Sequence, residues 1–451
     1  MELGNNTFLI AGAGISGIGA ANLLTKVGAD IILYDGNSYL EKDEIKNKLD
    51  APENVHIILG TLTNDIIGQI DIMVLSPGIA IDTDFVNRAR DAGVAIWGEI
   101  ELAYLNSRGK LAAITGTNGK TTTTALVGEI LKNYFKSVYV VGNIGIPYTS
   151  IALDTTEESV TVAEISSFQL ETIHSFKPNI SAVLNITPDH LDRHYTMKNY
   201  TDVKMNIAKN QDCSDVCVLN YEDEKLRARS KSIKAEVMFF SSKRRIENGI
   251  YLEGCNIIYC FGECEELIIK TNEMHLVGIH SIENVMASVA ICIKLGVPLD
   301  VIRNTIREFK AVEHRIEYVT EKEGIIYYND SKGTNTDASK KAIEAMSRPT
   351  VLIAGGYDKD AEFGDWIDAF GTKIKKLILL GETKMKITKA AMEHGYTDII
   401  LVNTLKEAVE VAQEAADYGD AVLLSPACAS WDMFKSYEER GTLFKDYVCN
   451  L

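Results

Sequence analysis

Hydrophobic residues along this chain gather into short, unbroken runs separated by polar segments with helical periodicity. Three times such a run closes on a glycine turn and passes into a helix. The runs are Phe8-Leu9-Ile10-Ala11-Gly12, Leu111-Ala112-Ala113-Ile114-Thr115-Gly116 and Val351-Leu352-Ile353-Ala354-Gly355-Gly356. Strands that are apolar throughout are buried on both faces. Alternating with helices, they predict mostly parallel sheets covered on both sides. Further strands are expected at 31–34, 72–75 and 94–97, helices at 284–295 and 299–309, and a strand pair near 316–319 and 325–328. This spacing divides the chain into three α/β domains, 1–97, 98–311 and 312–451.

Composition narrows the class. The chain has 451 residues, of which 46% are hydrophobic and 24% charged, enough for several cores and incompatible with disorder. Forty-six basic against 63 acidic side chains leave a net charge of −17, which argues against nucleic acid as a partner. An anionic ligand therefore needs a locally basic pocket. No apolar run approaches the ~18 residues of a membrane span, and the start, Met1-Glu2-Leu3-Gly4-Asn5-Asn6, has no basic segment of the kind that opens a secretory signal. The eight scattered cysteines suit reduced thiols and a cytoplasmic location, and the spacing of Cys255, Cys260 and Cys264 matches no zinc pattern.

Gly12-Ala13-Gly14-Ile15-Ser16-Gly17 follows a strand and opens a helix, and Asp35 ends the next strand. This is the context of a Rossmann-like diphosphate turn, in which N–H groups at the helix start receive phosphate and the carboxylate accepts from a hydroxyl-bearing ring. It does not by itself choose the nucleotide; a nicotinamide-dependent oxidoreductase would use the same turn. Gly116-Thr117-Asn118-Gly119-Lys120-Thr121 resembles a P-loop, although Ile114 stands where the strict pattern wants its first glycine. Its amides suit phosphates, Lys120 the β- and γ-phosphates, and Thr121 a Mg²⁺ ion. Glu164 is expected at the end of a strand and His190 just past another, where open α/β sheets bind ligands. His190 and His194 stand four apart, but Leu191 occupies the position of the glutamate in a zinc-protease helix. In the last domain, Arg315, Lys332, Lys359 and Ser430 are expected along one edge as an anion pocket.

These motifs carry a resemblance that spans the chain. In order stand Gly116 to Thr121, Gly142-Asn143-Ile144-Gly145, Glu164-Ile165-Ser166-Ser167, Asp189-His190-Leu191-Asp192, His314-Arg315, Asn329-Asp330-Ser331-Lys332 and Ser425-Pro426-Ala427-Cys428-Ala429-Ser430. The sequence resembles the Mur ligases, and its Gly12 loop and C-terminal motifs point to the glutamate-adding branch. The resemblance implies a Rossmann-like N-terminal domain, a P-loop ATPase-like central domain and a Rossmann-like C-terminal domain. It implies ATP-dependent ligation through an acyl phosphate, in peptidoglycan precursor synthesis. The substrates would be UDP-N-acetylmuramoyl-L-alanine and D-glutamate, with Mg²⁺ at two sites, no membrane insertion and a monomer.

The roles the resemblance implies are specific. Lys120, Glu164, His190 and Lys204 would be catalytic. Gly116, Thr117, Asn118, Gly119, Lys120, Thr121, Thr122, Asn284, Arg315 and Asp330 would hold ATP. Thr121, Glu164, His190 and a carbamate on Lys204 would hold the metal. Ser16, Gly17, Asp35, Ser76, Gly78 and Asn143 would take the UDP-sugar, and Lys332, Thr334, Lys359, Ser430 and Tyr437 the D-glutamate. Three positions depart from the family pattern: Ser281, where a second asparagine is common; Gly36-Asn37, which lacks a cation; and Trp431, where a smaller apolar residue is usual.

Overall fold

A computed structural model describes residues 3–143 and 145–451; Ile144, inside the Gly142 to Gly145 motif, lies outside the described residues. The chain gathers into two compact units, one of residues 1–268 and 283–305, the other of 269–282 and 306–451. It therefore passes between them three times, once within the helix Ile279–Lys294.

The first unit holds two sheets. The N-terminal sheet consists of β1 (Thr7–Ala11), β2 (Asp30–Asp35), β3 (Val55–Leu59), β4 (Ile72–Leu75) and β5 (Ala95–Gly98), in the order β3-β2-β1-β4-β5. All its pairings are parallel. The order reverses at β1, so the Gly12 loop opens at the switch point where such sheets bind ligands.

The central sheet begins with β6 (Lys110–Thr115), β7 (Val138–Gly142), β8 (Val160–Glu164), β9 (Ile180–Val183), β10 (Val216–Asn220) and β11 (Glu236–Ser241). It ends with β12 (Asn248–Glu253), β13 (Asn256–Phe261) and β14 (Cys264–Lys270), and its order is β14-β13-β12-β11-β10-β9-β6-β8-β7. Pairings from β7 to β12 are parallel, and β12–β13 is an antiparallel hairpin. The phosphate loop leaves β6 between β9 and β8, again with neighbours on both sides. Every residue of β8, β9 and β10 is buried, as a sheet covered on both faces requires.

In the second unit the hairpin β15 (Glu317–Lys322) and β16 (Ile325–Asn329) edges a parallel set, β17 (Thr350–Ala354), β18 (Ile374–Leu379), β19 (Ile399–Leu401) and β20 (Ala421–Leu424). The order is β15-β16-β20-β17-β18-β19. One core layer packs Trp366, Phe370 and Ile343 against one face of this sheet, and another packs Phe444, Val409 and Leu405 against the other. All eight cysteines are free thiols. Among the described residues no helix is long and apolar enough to cross a membrane.

Candidate active site

In the first unit, Gly116 and Gly119 have φ of +151° and +86°, conformations that favour glycine. Gly119 caps the helix Lys120–Lys132, so the loop's amides converge at a helix N-terminus. A Cβ on Gly119 would lie 2.2 Å from Oδ1 of Asn284, which places this predicted ATP residue against the loop. The facing loop is braced to it. Asn118 N–H donates to Asn185 Oδ1 (2.9 Å) and Thr187 N–H to Thr117 Oγ1 (3.1 Å), while Thr117 Oγ1 and the Tyr200 hydroxyl stand 3.2 Å apart.

Two ammonium groups meet on one acceptor here. Lys120 Nζ donates to the carbonyls of Gly116 (2.9 Å) and Thr117 (3.0 Å), and Lys204 Nζ also donates to Gly116 (2.9 Å). Lys204 is 2% exposed and lies over the Tyr200 ring at 4.8 Å. Burial first, and the Lys120 charge second, bring its pKa down to about 7.

Glu164 ends β8 in register with Ile114 of β6 and Gly142 of β7. Asn143 Nδ2 donates to its Oε1 at 3.2 Å, while its buried Oε2 has no partner among the described residues. An unpartnered carboxylate oxygen beside a phosphate loop is costly unless a cation or donor joins it. His190 has φ +50°, its ring lies 4.8 Å from that of Phe168, and its side chain is about half exposed. His194 is instead fully buried, with Nε2 2.9 Å from Ser167 Oγ, and burial depresses its pKa to about 4.

At the Gly12 loop, Asp35 accepts from the N–H groups of Ala13 and Asn37, both at 2.9 Å. The predicted hydroxyl acceptor thus also braces its own loop and the turn after β2. A Cβ on Gly17 would fall 1.8 Å from the Gly12 carbonyl oxygen, so the third glycine lets the helix Ile15–Lys26 close onto the strand. Ser76 lies across from Gly12, and its buried Oγ has no partner among the described residues. Ser16 and Gly78 flank this edge, Gly78 exposed.

In the second unit Lys359 and Ser430 stand on two loops zipped by main-chain bonds, while Arg315, Asp330, Lys332, Thr334 and Tyr437 stand on other segments. Gly355 N–H donates to the Pro426 carbonyl and Tyr357 N–H to that of Ala429, each at 2.9 Å. This brings Lys359 to Trp431, with Nζ 4.8 Å from the ring centroid, and Tyr357 to the same ring at 5.7 Å. Among the described residues Lys359 pairs with no carboxylate, whereas nearby Lys386 pairs with Asp358 at 2.8 Å. Lys332 stands 5.6 Å over the Tyr437 ring, its N–H bonds the His314 carbonyl, and Thr334 follows. Ser430 is buried at the start of the turn. Asp330 accepts from Ser425 Oγ (2.7 Å) and Ile316 N–H (3.3 Å), and burial raises its pKa to about 7 despite Arg315 and Arg440 nearby.

Two arginines escaped the reading of the motifs. Arg440, 2% exposed, joins Ser331 to the Cys428 and Ala429 carbonyls. Arg193 binds the carbonyls of Pro77 and Ile79. Neither stands in a phosphate or acid–base motif, and both act on the main chain more than a hundred positions away, or about ten in the case of Arg440 and Cys428, which leaves no local signal.

Three sheets, with a glycine loop at a helix N-terminus on the second and basic side chains on loops of the third, place the chain among α/β nucleotide-binding folds. Solved structures support the fold. A UDP-N-acetylmuramate–alanine ligase from Thermotoga maritima matches with a TM-score of 0.58 at 18% identity, covering 99% of each chain. The MurF ligase of the same organism, solved with ADP, matches at 0.57 and 17%, covering 100% of this chain and 99% of that one. Family models match in sequence order: the Mur ligase MurD-like N-terminal domain over 6–98, the Mur ligase middle domain over 114–292, and the Mur ligase glutamate ligase domain over 314–428. The UDP-N-acetylmuramoylalanine–D-glutamate ligase of Lachnoclostridium phytofermentans is 55% identical, covering 98% of this chain and 97% of its own. That of Lachnospira eligens is 51% identical over the whole of both chains. The chain belongs to the Mur ligase family.

Proposed function

We propose that this chain is the ATP-dependent ligase that joins D-glutamate to UDP-N-acetylmuramoyl-L-alanine through an acyl phosphate. The observation that carries the chemistry is the meeting of Lys120 and Lys204 on the phosphate loop beside Glu164, whose Oε2 lacks a partner among the described residues. The choice of substrates is supported by full-length similarity to relatives of that name. The division 1–97, 98–311 and 312–451 then assigns the UDP-sugar, ATP and the amino acid to successive domains.

A carboxylate is a poor electrophile, and phosphorylating it brings anions together, so positioning and positive charge do most of the work. Lys120 exchanges its loop carbonyls for the β- and γ-phosphates, with the amides from Gly116 to Thr122 and Asn284 around them. Arg315 and Asp330 hold the rest of the nucleotide. Ser16, Gly17, Asp35, Ser76, Gly78 and Asn143 hold the UDP-sugar so that its terminal carboxylate faces the γ-phosphate. Lys332, Thr334, Lys359, Ser430 and Tyr437 hold the carboxylates of D-glutamate and leave its amine free to attack. The tetrahedral adduct then expels phosphate and leaves the amide.

Thr121, Glu164, His190 and a carbamate on Lys204 fit Mg²⁺ at two sites, because they supply mostly hard oxygen donors, one of them an orphaned buried carboxylate oxygen. When bound, Mg²⁺ supplies charge neutralisation between phosphate and carboxylate. The carbamate forms when the neutral amine adds CO₂ and releases one proton.

A phosphate-release assay with ATP and UDP-N-acetylmuramoyl-L-alanine, with and without D-glutamate, tests the reading. Steady turnover is expected only with all three. Better turnover with L-glutamate or a diamino acid, or turnover with no acceptor, would refute it.

A further inference from the structure

The short helix Leu191–His194 follows His190 directly, and Arg193 on it reaches into the N-terminal sheet. Its Nη1 donates to the Pro77 carbonyl at 2.8 Å and its Nη2 to that of Ile79 at 3.0 Å, so the fork holds both carbonyls flanking Gly78. Nη2 also bonds Glu171 Oε2, a carboxylate 5% exposed. The guanidinium carbon lies 4.1 Å from the centroid of Phe168, and the same ring packs on His190. Two residues on, the Tyr195 hydroxyl donates to Asp82 Oδ2 at 2.6 Å. The segment that carries His190 is therefore fastened at two points to the segment that carries Ser76 and Gly78.

A planar guanidinium is suited to this task. It offers parallel donors at fixed spacing and an apolar face for an aromatic ring, which an ammonium lacks. With the side chain 13% exposed, few of these bonds are exchanged for water. The Glu171 ion pair stays within the central domain and by itself would not reach the N-terminal sheet. Arg193 instead grips the main chain of the loop read as a sugar-nucleotide site.

We infer that Arg193 is a positioning residue for the sugar-nucleotide substrate, holding the Ser76-Pro77-Gly78 loop in register with His190 and the phosphate loop. This rests on the function proposed above. The loop's shape then depends on the central domain, and the substrate meets a preformed rather than a mobile edge.

The test uses the full chain with Arg193→Ala and Arg193→Lys, measuring KM for UDP-N-acetylmuramoyl-L-alanine, ATP and D-glutamate by phosphate release, and Tm in parallel. Arg193→Ala is expected to raise the sugar-nucleotide KM by on the order of tenfold or more. The KM for D-glutamate should stay within about twofold of the parent. Arg193→Lys keeps the charge but not the fork and should recover little. Guanidinium ions at low concentration should partly restore Arg193→Ala, and ammonium ions should not. Should Arg193→Ala fail to fold, the KM split in Arg193→Lys decides. An unchanged sugar-nucleotide KM, an equal rise in all three KM values, or an activity loss that follows Tm alone would overturn the inference. Parent enzyme that turns over the sugar nucleotide normally confines such a failure to Arg193; a parent that ignores it overturns the proposed function as well.

Discussion

A lysine that is 2% exposed and shares one carbonyl acceptor with a second ammonium is under strong pressure to lose its proton. Lys204 is in that position, which gives the carbamate proposed for it a physical route. Lys204→Ala should be nearly inactive, and small carboxylates in the buffer should partly restore turnover by filling the ligand position; ordinary activity in the unsupplemented variant would remove Lys204 from the mechanism. Lys359 shows the opposite economy. Among the described residues it has no carboxylate partner, and it rests on an indole. Losing it should cost about 2–3 kcal/mol in binding a carboxylate, seen as a rise in KM for D-glutamate much larger than that for ATP. Trp431 is 63% exposed while Trp97 and Trp366 are buried, so D-glutamate should change the emission of one tryptophan. The change should vanish in Trp431→Phe, and its persistence there would mean the acceptor binds elsewhere.

Elements were legible where the chain states its own ends. Glycines 12, 116 and 355 closed apolar runs, and each run is a strand one or two residues from the expected bounds. β3 is interrupted by His56, and β19 is three residues long, so neither has a pattern to read. The 264–270 strand is exposed over its first half and gives no apolar run. The candidate site was legible for the same reason: Glu164 ends a strand, and Lys120 and the Asp330 loop follow strand ends. Arg193 was not, because its partners are main-chain carbonyls of another sheet. The Gly12 turn tests the element as a unit. Gly17→Ala puts a methyl against the Gly12 carbonyl, and the helix and strand must part. Stability should fall by about 1–3 kcal/mol, with weaker binding of the UDP-sugar by calorimetry. A variant with parental Tm and affinity would show that the helix has room to move.

At the scale of the whole molecule, burial of a carboxylate links stability to pH. Asp330 has a folded pKa near 7 against an ordinary 3.8, so between those values the folded state holds a proton that the unfolded state has released. This contribution is full below pH 4, declines as pH rises to 7 and is flat above. At 1.36 kcal/mol per unit it reaches about 4 kcal/mol at most. Asp330→Asn should therefore gain stability relative to the parent progressively from pH 4 to 7; a Tm difference that does not vary with pH would exclude this origin.

The three passages of the chain between its compact units bear on what a protease could do to it. Cleavage near 268, 282 or 305 cuts one tether and leaves two. A nick at 268 frees residues 1–268 covalently, yet the fragment still packs against 283–305, where Val285, Met286, Val289, Ala290 and Ile291 are buried. Such a nicked protein should run as two bands on a denaturing gel and as one species on a native column. Loss of a single covalent link would thus leave no trace in size, and integrity has to be judged under denaturing conditions.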